Sequence, residues 1–96
     1  MFVVNLTYIK PLADVDAHLE EHMRFLKTQF ERGVFIASGR KVPRDGGVIL
    51  ARSDSREALW KVLEQDPFHR ADIARFDVVE FTASTVQPGF ENLEGA

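Results

Sequence analysis

The chain predicts an α+β fold of the ferredoxin-like type: order βαββαβ, a four-stranded antiparallel sheet, both helices on one face. Three observations predict it. Four short runs rich in β-branched and aromatic residues are bounded by turn residues; two segments with apolar residues at three- and four-residue steps separate the first run from the second and the third from the fourth; and the second and third runs are joined by a polar crossing with Pro43, Asp45, Gly46 and Gly47, which suits a hairpin.

Taken in order, Phe2 to Ile9 (FVVNLTYI) is the first strand, stopped by Pro11. From Asp14 or Asp16 to Arg32, Val15, Leu19, Met23, Leu26 and Phe30 form the apolar stripe of a long helix, with an early acid suited to the helix dipole and Gly33 at its stop. Val34 to Gly39 and Val48 to Arg52 are the hairpin strands. Ser53 or Ser55 caps a second helix that buries Ala58, Leu59, Val62 and Leu63, with Trp60 near its edge. Asp66-Pro67 ends that helix, because a residue before proline disfavours the helical region. A short helical or looped stretch from Pro67 to Ile73 leads to a fourth strand, Phe76 to Phe81, and the tail from Ser84 carries no clear period.

Length and composition bound the function. The 96 residues allow one domain, 1–96, with a core over about 2–83 and a tail over 84–96, and 45% hydrophobic content with eight Phe, one Tyr and one Trp supplies apolar surface for that core. A net charge of -3, with twelve Lys and Arg scattered among fifteen acids, argues against binding a phosphate backbone, so no nucleic-acid partner is expected. Without cysteine the fold needs no disulfide and no thiolate metal site. Met1 runs directly into the first strand without a basic start or a small-residue cleavage site, and nothing approaches ~18 continuous apolar residues. A soluble cytoplasmic protein, not associated with membranes, is the expectation.

The strands are apolar on both parities: Val3 beside Val4, Phe35 beside Ile36, Ile49 beside Leu50, Val78 beside Val79. A sheet with one face in water alternates more cleanly. The helix-free face is therefore expected to meet another subunit, most simply in a two-fold homodimer; the other readings are that the tail folds over it, or that these are ordinary partly exposed aliphatics.

Two acid/base candidates stand out. At 100° per residue His22 falls between Leu19 and Leu26 at the margin of the apolar stripe, with His18 further toward the polar side. An imidazole titrates near ~6.5, which suits it to take or give a proton at neutral pH. Asp66 precedes Pro67. Each has a plainer reading: His22 as a core histidine bonded to a carbonyl, and Asp66 as the N-cap of a helix with proline at its first position. Their spacing alone does not bring them together.

His22-Met23-Arg24-Phe25-Leu26, Gly33 eleven residues after the histidine, Val34 to Gly39, and Asp66-Pro67-Phe68 together resemble the YciI-like family, over most of the chain. The resemblance implies a ferredoxin-like domain that dimerises as dimeric α/β barrels do, with an acid/base pair that falls here on His22 and Asp66. Activities in the family are largely unassigned, and some relatives are lyases or isomerases of ring-cleavage and chlorinated aromatic intermediates. Two departures matter. Gly39 is followed by Arg40 and Lys41 instead of proline, and the arginine often found shortly before the histidine is absent from Asp16-Ala17-His18-Leu19.

Arg40 is thus a candidate for binding a carboxylate or enolate through its planar fork, with Ser38 and Tyr8 as hydroxyl donors at the rim. Three histidines without a carboxylate cluster make a poor zinc site, so no metal is expected, nor any cofactor. The function expected is acid/base catalysis, lyase or isomerase in type, on a small organic acid or phenolic compound. The alternative is a non-catalytic ligand-binding or companion protein using the same pocket.

Overall fold

The computed structural model describes residues 1–96. Its elements are β1 (Phe2–Tyr8), α1 (Leu12–Glu31), β2 (Phe35–Arg40), β3 (Gly46–Ala51), α2 (Arg56–Leu63), α3 (Pro67–Arg70), β4 (Ala74–Glu80) and a 3-10 turn at Glu91–Leu93. The strands form one antiparallel sheet in the order β2-β3-β1-β4. This is the ferredoxin-like α+β arrangement, with a short third helix inserted before the last strand.

β1 is central, so its inward residues meet neighbours on both sides. Phe2, Val4 and Leu6 are buried and stand in register with Ala51, Ile49 and Gly47 of β3 and with Glu80, Val78 and Phe76 of β4. They join Leu59 and Leu63 of α2, Phe68 of α3 and Val15 and Leu26 of α1 in one core. Gly46 has a specific reason to be glycine: a Cβ there would overlap the carbonyl of Leu6 on β1.

α1 starts earlier than its acids suggest. Pro11 occupies the cap position, and its carbonyl receives the N–H groups of Asp14 (2.9 Å) and Val15 (3.2 Å), leaving Asp14 in the first turn where its charge suits the dipole. Gly33, at φ 76°, ends the helix in the left-handed region. The inward face also differs from the expected stripe: Met23 and Phe30 are 55% and 39% exposed, while polar His22 and Gln29 are buried beside Val15 and Leu26. The inward face has turned past the outer hydrophobics to take in the two polar side chains.

The Ser55 hydroxyl caps α2 by accepting from the Ala58 N–H at 3.0 Å, deciding between the two serines. β4 begins at Ala74, two residues before the expected Phe76. The hairpin strands each extend past the expected limits, since Arg40 pairs with Gly47 of β3 and Gly46 with Thr7 of β1. Within β2 the register with β3 shifts between Phe35 and Ala37, so Phe35, Ser38 and Arg40 stand opposite Ala51, Ile49 and Gly47. That irregularity turns Ser38 and Arg40 to the face that Phe35 shares with the helices.

On the helix-free face Val3 and Leu50 are half-buried, and Val48 and Val79 are exposed, at 40% and 59%. The tail does not cover those two valines; it returns to the body through the Gly95 N–H, which donates to the Ala83 carbonyl at 2.8 Å.

Candidate active site

Asp66 opens α3. With Pro67 at the first helical position, its side chain turns back to accept the Phe68 N–H through Oδ1 at 2.9 Å. The same Oδ1 accepts a second hydrogen bond, 2.8 Å from Nδ1 of His22 on α1. The cap reading of Asp66 and its pairing with the histidine therefore hold at once, within one subunit. Asp66 is fully buried and His22 nearly so. The Phe68 ring lies flat on the imidazole, centroids 3.9 Å apart and planes within 1°, and Tyr8 meets Phe68 edge-on at 6.0 Å. Cap, stack and carboxylate together fix the imidazole plane.

Chemistry follows from which lone pairs are used. An ionised carboxylate only accepts, so Nδ1 of His22 carries the proton it shares with Asp66, and the neutral ring keeps its free lone pair on Nε2. Nε2 has no protein partner yet is not sealed from solvent, and His22 lines a cavity of about 240 Å³. The second carboxylate oxygen, Oδ2 of Asp66, is buried and without a protein partner.

The cavity lies between α1 and the β2-β3 hairpin. Leu6, Leu19, Met23 and Leu26 give it apolar walls, and Tyr8, Ser38 and Arg40 also line it. The structure thus gathers four of the five sequence candidates, Tyr8, His22, Ser38 and Arg40, around one space, with the fifth, Asp66, bonded to His22 behind the lining. Ser38 and Arg40 are exposed at its mouth and Tyr8 is half-buried.

One lining residue escaped the sequence reading. Arg44, in the hairpin loop, donates from Nη2 to Oδ1 of Asp16 on α1 at 2.6 Å, and its side chain keeps 26% exposure. Its guanidinium pKa is raised above the ordinary value, first by that hydrogen bond and also by attraction to Asp16, with burial acting against them. Its Nε is buried without an acceptor. The signal that existed was a second arginine four residues after Arg40, in a loop whose path no periodicity reports.

The remaining histidines stand elsewhere: His18 Nδ1 bonds the Asp14 carbonyl (2.9 Å), and His69 packs edge-on against Trp60 and Phe76. Nowhere do three histidine, aspartate or glutamate side chains converge as a metal-binding group. No helix is long and apolar enough to cross a membrane.

Among solved structures, the chain is similar to 5-chloro-2-hydroxyhydroquinone dehydrochlorinase from Burkholderia phenoliruptrix AC1100, determined in complex with 2,5-dihydroxybenzoquinone. The two share 15% sequence identity with a TM-score of 0.71, over 86% of this chain and 95% of that one, and at this identity the likeness concerns the fold. No curated protein is significantly similar in sequence. The pattern of the YCII-related domain matches residues 1–82, which span all four strands, and on that match the chain belongs to the YCII-related family.

Proposed function

We propose that this protein is an acid/base enzyme, lyase or isomerase in type, acting on a small organic acid or phenolic compound, with His22 as the proton-transferring group and Asp66 as the residue that orients it. The observation that carries the reading is the division of labour on one imidazole: Nδ1 is tied to a buried carboxylate at 2.8 Å, while Nε2 has no partner in the protein and the residue lines the cavity. A histidine serving the core alone has no use for an accessible, unpartnered nitrogen. Nor does a plain helix cap require a buried carboxylate oxygen without a donor, as Oδ2 of Asp66 is.

In this reading Nε2 of His22 removes or delivers a proton, the imidazolium formed is stabilised by Asp66, and Arg40 steadies negative charge that develops on the substrate, with the Ser38 and Tyr8 hydroxyls as further donors. The fold neighbour is a dehydrochlorinase of 5-chloro-2-hydroxyhydroquinone, and loss of hydrogen chloride from any carbon skeleton needs a base to take the proton as chloride leaves. That makes its substrate the first compound to try. The protein acts as a homodimer in the cytoplasm, the apolar helix-free face of the sheet being the surface that pairs: Val3, Val48, Leu50 and Val79 offer a patch that a second copy of the same sheet covers.

The test is chloride release from 5-chloro-2-hydroxyhydroquinone, run beside solvent-deuterium incorporation into enolisable phenolic acids. The wild type should act on at least one, and His22→Gln should lose about 10²–10⁴ of the rate with its thermal unfolding unchanged in form. Full activity in that variant rejects His22 as the proton-transferring group, whereas a wild type that binds these compounds and turns over none of them assigns the cavity to ligand binding without catalysis. In ¹⁵N spectra of the imidazole, Asp66→Asn should disturb the assignment of the proton to Nδ1.

A further inference from the structure

Arg44 has no part in the proton transfer described above, yet it is the most constrained cation in the cavity. We propose that Arg44, held in place by Asp16, is the residue that selects the substrate: it grips an oxyanion at one end of a single-ring molecule whose other end reaches His22. The proposal rests on the acid/base reading of His22 and names the substrate class for that same site.

Charge comes first. The only ionisable side chains lining the cavity besides tyrosine are His22, Arg40 and Arg44, and no carboxylate lines it. Asp16 lies outside the lining and pairs with Arg44 alone, while Arg40 makes no ion pair. The hairpin end of the cavity is therefore cationic, and a guest that brings one negative charge balances it.

Geometry comes next. Asp16 and His22 are six residues apart on α1, about 9 Å along the helix axis. Leu19 lies between them and lines the cavity. The two polar ends are thus separated by an apolar floor, which suits a molecule with an oxygen anion at one end, a flat hydrocarbon middle and an acidic proton at the other. A volume of about 240 Å³ exceeds the ~150 Å³ of a cavity that takes benzene and falls below the ~300 Å³ at which drug-sized pockets begin. One substituted ring fits.

Arg44 suits the task better than Arg40. Its Nη2 is fixed on Asp16, so the planar fork is oriented before any ligand arrives, while 26% of the side chain stays exposed. Arg40 is exposed at a strand end and has no such anchor.

The test compares two probes of equal shape, 2-hydroxybenzoate and its uncharged amide 2-hydroxybenzamide, by calorimetry on the full chain. The wild type should prefer the carboxylate by about tenfold or more. Arg44→Gln should abolish that preference while leaving the amide's Kd unchanged, and Arg44→Lys, which keeps the charge beside Asp16 but not the fork, should give a ratio between the two. His22→Gln should keep the wild-type ratio while losing proton transfer, so the two readings fail separately. A wild type that binds neither probe at millimolar concentration or does not discriminate overturns the proposal. So does an Arg44→Gln variant that still discriminates or, if that variant does not fold, an Arg44→Lys variant with the wild-type ratio.

Discussion

The cavity has two walls of different construction. On the α1 and α3 side, His22, Asp66 and Phe68 belong to the interior: all three are buried, and each is fixed by the other two. On the hairpin side, Ser38 and Arg40 are exposed, and Arg44 is held by one ion pair to α1. Truncating a side chain of the first wall is felt in the core, whereas the second can change while the fold stands. Chemistry that must keep one geometry sits on the first; recognition, which differs from substrate to substrate, sits on the second.

This contrast predicts unequal costs. The largest is expected for Asp66→Ala, which removes a helix cap and leaves a buried imidazole without its partner: breaking a buried pair costs about 3 kcal/mol. For a domain this small that lowers Tm by roughly 12 °C or more in a thermal scan; a drop of only a degree or two would mean the pair is not part of the interior. Next is Gly46→Ala, at the joint between hairpin and core. The added methyl meets the Leu6 carbonyl, so β1 and β3 must separate, at about 1–3 kcal/mol measured by denaturant unfolding. Smallest is Arg44→Gln, whose loss of a partly exposed ion pair should leave the unfolding midpoint nearly unchanged while it changes ligand choice. A large loss of stability there would erase the distinction between the two walls.

How far the site was legible in the sequence depends on which kind of signal carried each residue. His22 was visible because a helix repeats every 3.6 residues, and an imidazole at the inner margin of that repeat stands out. Asp66 was visible because the residue before proline has few backbone choices. The hairpin side was harder. Register in a strand has a period of two, and the irregularity between Phe35 and Ala37 breaks it, so no alternation rule puts Ser38 and Arg40 on the face shared by Phe35. Arg44 lies in a loop, where neither period applies. Its partner Asp16 is 28 residues away in sequence, where local pattern marks it only as an acid near a helix start.

Met23 and Phe30 teach the same lesson from the other direction. By composition they belong to the inner stripe of α1, yet they are exposed while His22 and Gln29 are buried. Small rotations of a helix are decided by what it packs against, and α1 faces Asp66 and the hairpin as well as apolar strands.

The order of elements, the antiparallel hairpin, the stops at Pro11 and Gly33 and the identity of the acid/base candidates were determined by the sequence alone, because each depends on local backbone preference or on a repeat within one element. The meeting of His22 with Asp66, 44 residues apart, the turning of Ser38 and Arg40 toward the cavity, and the anchoring of Arg44 were decided only by tertiary structure. Those contacts join different elements, and their geometry depends on register, helix rotation and loop path, which no local pattern encodes.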